Sequence, residues 1–263
     1  MPRALFVSPH LDDVAFSCGG VAAALALAGW TTTLVTAFTR TVLRPSGFAL
    51  ACQLDKGLDT GVDYMALRRE EDVHAAAALR CTTLAWLDLL EAPHRGYESA
   101  AALFGPFAAA DDVASELTAR LATYLAAADV VFVPQALGSH VDHRRVRDAT
   151  LTLADPTKLA WYRDTPYAIR ESAAEPDVTV VREAAPFAYP LAPPHLGAKL
   201  EACAAYASQI GFQFGGAAQM RATLVEFADA EGLRHGAAGP VEVVRTGRAA
   251  RDAIAQSLRS LAR

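Results

Sequence analysis

Residues 4–20, "ALFVSPHLDDVAFSCGG", decide the reading of this chain. The apolar run 4–8 stops at Pro9, and His10, Asp12 and Asp13 follow at once. A short continuous apolar run ended by a turn residue is the pattern of a parallel strand buried on both faces. A helix is expected after it over 17–30, with Gly19 and Gly20 allowing close approach to the sheet. Charged side chains crowded at the edge of such a core need partners or a metal, because burying them unpaired is costly.

The same alternation continues outward. Residues 31–39, 82–90 and 129–135 are further strand candidates, with helical stretches at 63–80 and 111–128 between them. Asp63 is placed as an N-cap and acids follow it. Alternation through residue 150 predicts an α/β fold: a Rossmann-like, mainly parallel sheet with helices on both faces. Beyond it, 158–169 and 177–185 read as strands, 193–214 and 217–233 as helices, and 240–246 as a last strand. The length suits one domain over 1–263. Stretches 40–63 and 91–110 lack a period and are expected to be loops, the first with one short helix. Long loops in compact domains tend to carry function.

A second cluster, "SHVDH" at 139–143, follows the strand candidate at 129–135 and leads into a helix. Open parallel sheets bind ligands outside the carboxyl ends of their strands, so both clusters are expected on one sheet edge. His10 and Asp13, two residues apart at a tight turn, can face one point. A neutral imidazole and a carboxylate suit Zn²⁺, and His143 offers a third ligand from the second strand end. Three protein ligands with a fourth position open to water make a catalytic zinc site, in contrast to a closed structural one. Asp12 then stands beside the metal, free to take a proton from an attacking water. Taken singly, each cluster has a plainer reading. "HLDD" can be a helix N-cap, and "HVDH" a cap or a surface ion pair. Two such clusters at matched positions of one sheet argue against that reading.

The pair "PHLDDV" and "SHVDH" resembles the signatures of the LmbE-like, or PIG-L, zinc-dependent deacetylases, which remove N-acyl groups, usually acetyl, from amino-sugar conjugates. Leu11 and Val141 stand where that family commonly has prolines, and Val14 where it has glutamate. The "HLDD" form is similar to the branch with deacetylases of antibiotic pseudoaglycones. "LRREED" (67–72), "WYRDTPYA" (161–168) and "KLEACAAYASQ" (199–209) add to the likeness. The resemblance implies His10, Asp13 and His143 as ligands of one zinc per chain, and Asp12 as general base. It implies His140 as oxyanion stabiliser or donor to the leaving amine, and Asp142 as the group orienting a neighbouring imidazole. Arg68 would bind substrate, although Arg68 to Glu71 read most simply as a solvated helix face with paired charges. The implied partner is a small N-acylated amino sugar or its conjugate.

Other classes fit less well. The net charge of −5 and a pI near 5.8 give no basic face for nucleic acid. No polybasic patch suggests stable membrane association, and the run at 22–29 is too short to span a bilayer. With no signal core ahead of the first strand, a cytoplasmic location is expected. The four scattered cysteines are then small, reduced thiols. A sugar- or nucleotide-binding module with a merely structural metal is the alternative function. Against it, no G-x-G-x-x-G follows the first strand, and acids there would repel a phosphate. A serine esterase lacks its G-x-S-x-G elbow. Tyr206 is read equally as core or as site wall. Asp164 and Tyr167 are read as pocket shapers or as a strand-end turn. His74, His94, His195 and His235 are read as surface or capping residues. Nothing in the sequence decides the oligomeric state, and a homo-oligomer is left open.

Overall fold

A computed structural model describes residues 1–261. In chain order its first half comprises β1 (Arg3–Ser8), α1 (Asp13–Leu27), β2 (Thr31–Phe38), α2 (Gly47–Leu54), α3 (Tyr64–Ala78), β3 (Thr83–Leu89), α4 (Ala100–Leu103), α5 (Val113–Ala127) and β4 (Val130–Pro134). Then follow α6 (Val141–Leu153), β5 (Leu159–Tyr162), α7 (Tyr167–Arg170), α8 (Thr179–Glu183), β6 (Ala185–Pro190) and α9 (Pro193–Ala205). The chain ends with α10 (Ala207–Phe214), α11 (Ala217–Arg234), β7 (Val241–Thr246) and α12 (Arg248–Leu261).

The seven strands form one sheet in the order β3-β2-β1-β4-β5-β7-β6. Strands β1 to β5 pair in parallel, and β7 runs against both β5 and β6. The chain steps outward from β1 to β3, then crosses back so that β4 lies on the other side of β1. That reversal is the switch point at which such sheets open a crevice at their carboxyl ends. Both motif clusters leave the sheet there, as the alternation of strands and helices predicts.

The strands read as unbroken apolar runs because helices cover both faces. Ala4 and Phe6 of β1 join α1, α3, α9 and α11 in one core, where Phe6 stacks on Phe132 with ring centres 4.4 Å apart. Leu5 and Val7 face the other core, filled by Leu117, Leu121 and Leu125 of α5 with Val146 of α6. Gly20 does permit a close approach: a Cβ there would stand 2.6 Å from Leu191 Cδ2 and 3.1 Å from the Glu242 carboxylate. The reason lies in α1 itself, which departs from helical geometry at Cys18 (φ −142°, ψ 25°). The amides of Gly20 and Val21, freed by that break, donate to Glu242 at 3.1 and 2.7 Å, and Lys199 pairs with the same carboxylate at 2.6 Å.

Several expectations need correction. The stretch 177–185 is not a strand: Thr179–Glu183 forms one helical turn that buries Val181, and β6 begins only at Ala185. The expected strand 158–169 ends at Tyr162 and turns into α7. The helix expected over 193–214 is two, parted at Tyr206 (φ −82°, ψ 58°), whose hydroxyl donates to buried Asp72. The loop 40–63 contains α2. Among the described residues no helix is long and apolar enough to cross a membrane.

Candidate metal centre and cleft

The turn after β1 is closed by its own side chains. Ser8 Oγ donates to the His10 carbonyl at 2.6 Å and accepts from the Val14 amide at 3.2 Å. Asp13 accepts from the His10 amide at 2.7 Å, so the ligand-type residues at positions 10 and 13 are locked to one another. The plain capping reading fails for Asp12, whose carboxylate makes no cap to α1. Instead it lies 3.4 Å from Arg68 at the floor of a cleft. Across the switch point, α6 starts at Val141 and presents His140, Asp142 and His143, all buried.

His10 Nδ1 lies 3.3 Å from Asp13 Oδ2, and His143 Nε2 lies 3.4 Å from the same oxygen. All three donors fall within 4.8 Å of one another. Two donors on a tetrahedral first-row ion at about 2.0–2.1 Å stand roughly 3.3 Å apart, so these separations fit such an ion. Each imidazole is also held from behind. His10 Nε2 meets Asp142 at 2.9 Å, and His143 Nδ1 meets Asp164 at 2.6 Å. A carboxylate behind each imidazole fixes its tautomer and aim, the usual support of a metal-binding histidine. His10, His140 and Asp142 also lie close enough to share an ion. Asp142, however, is already committed to Arg95 at 2.6 Å and to the Ala92 amide at 3.1 Å. The first set has the free lone pairs.

The two neighbouring aspartates are driven apart electrostatically. Burial pushes Asp12 up to about 7, with Arg68 opposing and Asp13 adding to the rise. For Asp13, burial is overcome by the nearby His143 and by the charge and hydrogen bonds of His10, which bring it down to about 2. Burial holds His140 down at about 3, with the His10 charge helping, so its ring is neutral. Its Nδ1 accepts from the Asp142 amide at 3.2 Å, which leaves Nε2 as the N–H.

Arg68 reaches the site but not as part of a solvated face. It is 3% exposed, donates to Glu91 at 2.6 Å and to the Leu11 carbonyl at 3.2 Å, and lies against Asp12. Glu71 is likewise buried and accepts from the amide and hydroxyl of Ser208. Two residues with structural parts went unread in the sequence: Arg95 and Asp111. Arg95 sits on the aperiodic stretch 91–110 and joins Asp142 to Asp111, while Tyr97 and Arg145 complete the Asp111 shell. No motif marks a lone arginine in a loop. Asp164 was legible only as part of "RDTPY". Arg95→Met leaves Asp142 and Asp111 short of their shared cation in the interior. It is expected to cost about 3–5 kcal/mol, read as a lower urea midpoint.

The cleft above these residues has a volume of about 320 Å³. The stretches that looked least ordered build its walls: Phe48, Cys52 and Lys56 on one side, Leu103 and Phe104 on the other. Phe104 and Tyr167 meet the catalytic-type histidines edge-on, with ring centres 5.4 Å from His140 and 5.6 Å from His143.

Known proteins share this arrangement. The 2'-N-acetylparomamine deacetylase of Streptomyces fradiae is 36% identical over 193 residues, covering 71% of this chain and 66% of its own length. The crystal structure of an antimicrobial pseudoaglycone deacetylase superposes with a TM-score of 0.77 at 26% identity, over 92% of this chain and 95% of the other. A triple mutant of a deacetylase of teicoplanin biosynthesis gives 0.74 at 25% identity, over 92% and 96%. Residues 5–154, which carry both motif clusters, match the profile of the GlcNAc-PI de-N-acetylases. A match over more than half the chain, centred on the strands and turns that hold the His and Asp donors, places this protein in the PIG-L family of GlcNAc-PI de-N-acetylases.

Proposed function

We propose that the protein is a zinc-dependent hydrolase that removes an N-acyl group, in particular N-acetyl, from an amino sugar or an amino-sugar conjugate. The observation that carries this reading is the His10, Asp13 and His143 donor set opening onto a cleft with Asp12 free beside it. The 2'-N-acetylparomamine relative supports the choice of amide and sugar.

In this reading His10, Asp13 and His143 hold one zinc, and Asp142 and Asp164 keep the two imidazoles aimed. Zinc, when bound, supplies a Lewis acid for the amide carbonyl and makes water easier to deprotonate. Asp12 receives the proton of the attacking water and returns it to the departing amine. Its pKa near 7 suits both directions of transfer at neutral pH. His140 Nε2–H donates to the carbonyl oxygen as negative charge develops there. Being neutral, His140 acts as that hydrogen-bond donor and not as the acid. Arg68 holds Asp12 in place and contributes a positive edge to the substrate. A purely structural metal would be enclosed by a fourth protein donor, whereas this set faces the cleft. The four cysteines are free, in keeping with a reducing, cytoplasmic setting.

The test is metal content followed by a screen for released acetate. The purified protein is expected to carry about one zinc per chain, and a strong chelator is expected to abolish acetate release until zinc is restored. Full activity in a metal-free preparation overturns the reading.

A further inference from the structure

The cleft extends past the reacting groups, and its far wall has a composition the chemistry does not use. Phe212 is 55% exposed and lines the cleft, as does Phe104 at 43%. Exposed aromatic surface rimmed by polar groups marks a ligand groove. Beside Phe212 sits Lys56, whose ammonium lies 5.0 Å from the Phe212 ring centre and 5.5 Å from that of Tyr64. One of its hydrogens goes to the Cys52 carbonyl at 2.9 Å, and no carboxylate pairs with it among the described residues. Two donors therefore remain. Asp55 lines the same wall, and no partner takes its carboxylate among the described residues.

The position of this wall relative to the chemistry follows from a chain of contacts. Arg68 touches Asp12 at 3.4 Å, and its guanidinium lies 5.2 Å from the Tyr64 ring centre. Tyr64 is pinned by Gln209 and adjoins Lys56. The Lys56 and Phe212 pair thus stands one aromatic ring beyond the proposed base, where a group attached to the acylated sugar would lie. A flat apolar ring flanked by a spare ammonium and a spare carboxylate suits a ligand with an apolar C–H face and hydroxyls at its rim. We propose that Lys56, Tyr64 and Phe212, with Asp55, form a subsite for a second hydroxyl-bearing ring of the substrate. This rests on the deacetylase reading above. An anionic group is the less suited occupant, because Asp55 and Glu91 line the same cleft.

The experiment compares kcat/KM of the zinc-loaded protein for N-acetylglucosamine, N,N'-diacetylchitobiose and N-acetylglucosamine 1-phosphate. Wild type is expected to favour the disaccharide over the monosaccharide. Phe212→Ala and Lys56→Met are each expected to lower that preference about tenfold, mainly through KM, since each removes one ground-state contact. Phe212→Tyr, which retains the flat ring, is expected to preserve the preference and so separates a lost contact from a damaged fold. An unchanged preference in both variants overturns the subsite. So does a Lys56→Met effect confined to the phosphate ester, which would make the wall an anion site. If wild type releases acetate from none of the three, the deacetylase reading falls first and the subsite with it.

Discussion

Asp12→Asn is expected to retain zinc and lose about 10²–10⁴ of kcat, the usual worth of a general base. The amide keeps the shape of the carboxylate and can still meet Arg68, but it cannot accept a proton. Asp13→Ala is expected to fail differently, by losing the metal, because Asp13 Oδ2 is the oxygen that both His10 and His143 face. The electrostatics separate the two. Environments that push adjacent carboxyls apart mark them for different duties. Asp13, held near 2, is an anion at every working pH and suits a ligand. Asp12, pushed up to about 7 by burial, can both take and give a proton. The sign of the pH dependence follows. A base works when deprotonated, so wild-type kcat/KM falls as pH drops through the Asp12 pKa, giving an acid limb below about pH 7. Asp12→Asn removes the group responsible, and its residual rate is expected to lose that limb. Metal content, kcat and the pH profile of the two variants decide the assignment. A zinc-free Asp12→Asn with a zinc-replete Asp13→Ala would exchange the roles.

What the chain spelled out was whatever rests on local chemistry. "ALFVS" and "DVVFVPQ" are apolar throughout because helices cover both faces of their strands, so the parallel core could be read without tertiary information. The two donor clusters were legible because a strand end followed by His and Asp has few other uses. That they meet followed from sheet topology, since β1 and β4 are neighbours across the switch point. The unread parts depend on long-range contact. "DVTVVRE" has the residue types of a strand, yet it folds as a helical turn because burying Val181 outweighs a weak local preference. The single long helix expected over 193–214 breaks because the Tyr206 hydroxyl is drawn to Asp72, 134 positions away. Arg95 and Asp111 form a buried ion cluster 16 residues apart in an aperiodic stretch, and nothing in their spacing announces it. Arg68 looked solvated because its partners, Glu91 and Asp12, lie on other elements.

His140→Ala is expected to lower kcat by about 10²–10³ and to change KM less. The ring faces the cleft from the N-cap of α6, with Nδ1 engaged by the Asp142 amide and Nε2–H left to donate. A donor in that place meets a neutral carbonyl oxygen weakly and an oxyanion strongly, so its loss falls on the transition state. Zinc content is expected to stay near wild type, because His143, and not His140, shares Asp13 Oδ2 with His10. The pH dependence separates the two duties the residue could have. A protonated acid would give the profile a basic limb that disappears in His140→Ala. A ring held near 3 by burial is neutral across the working range. The basic limb of the wild type is therefore expected to survive in the variant while the whole profile drops. Parallel measurement of kcat, KM, bound zinc and the pH profile in His140→Ala and His143→Ala reads each point. Loss of zinc in the His140 variant, or full kcat with zinc retained, would remove His140 from oxyanion stabilisation.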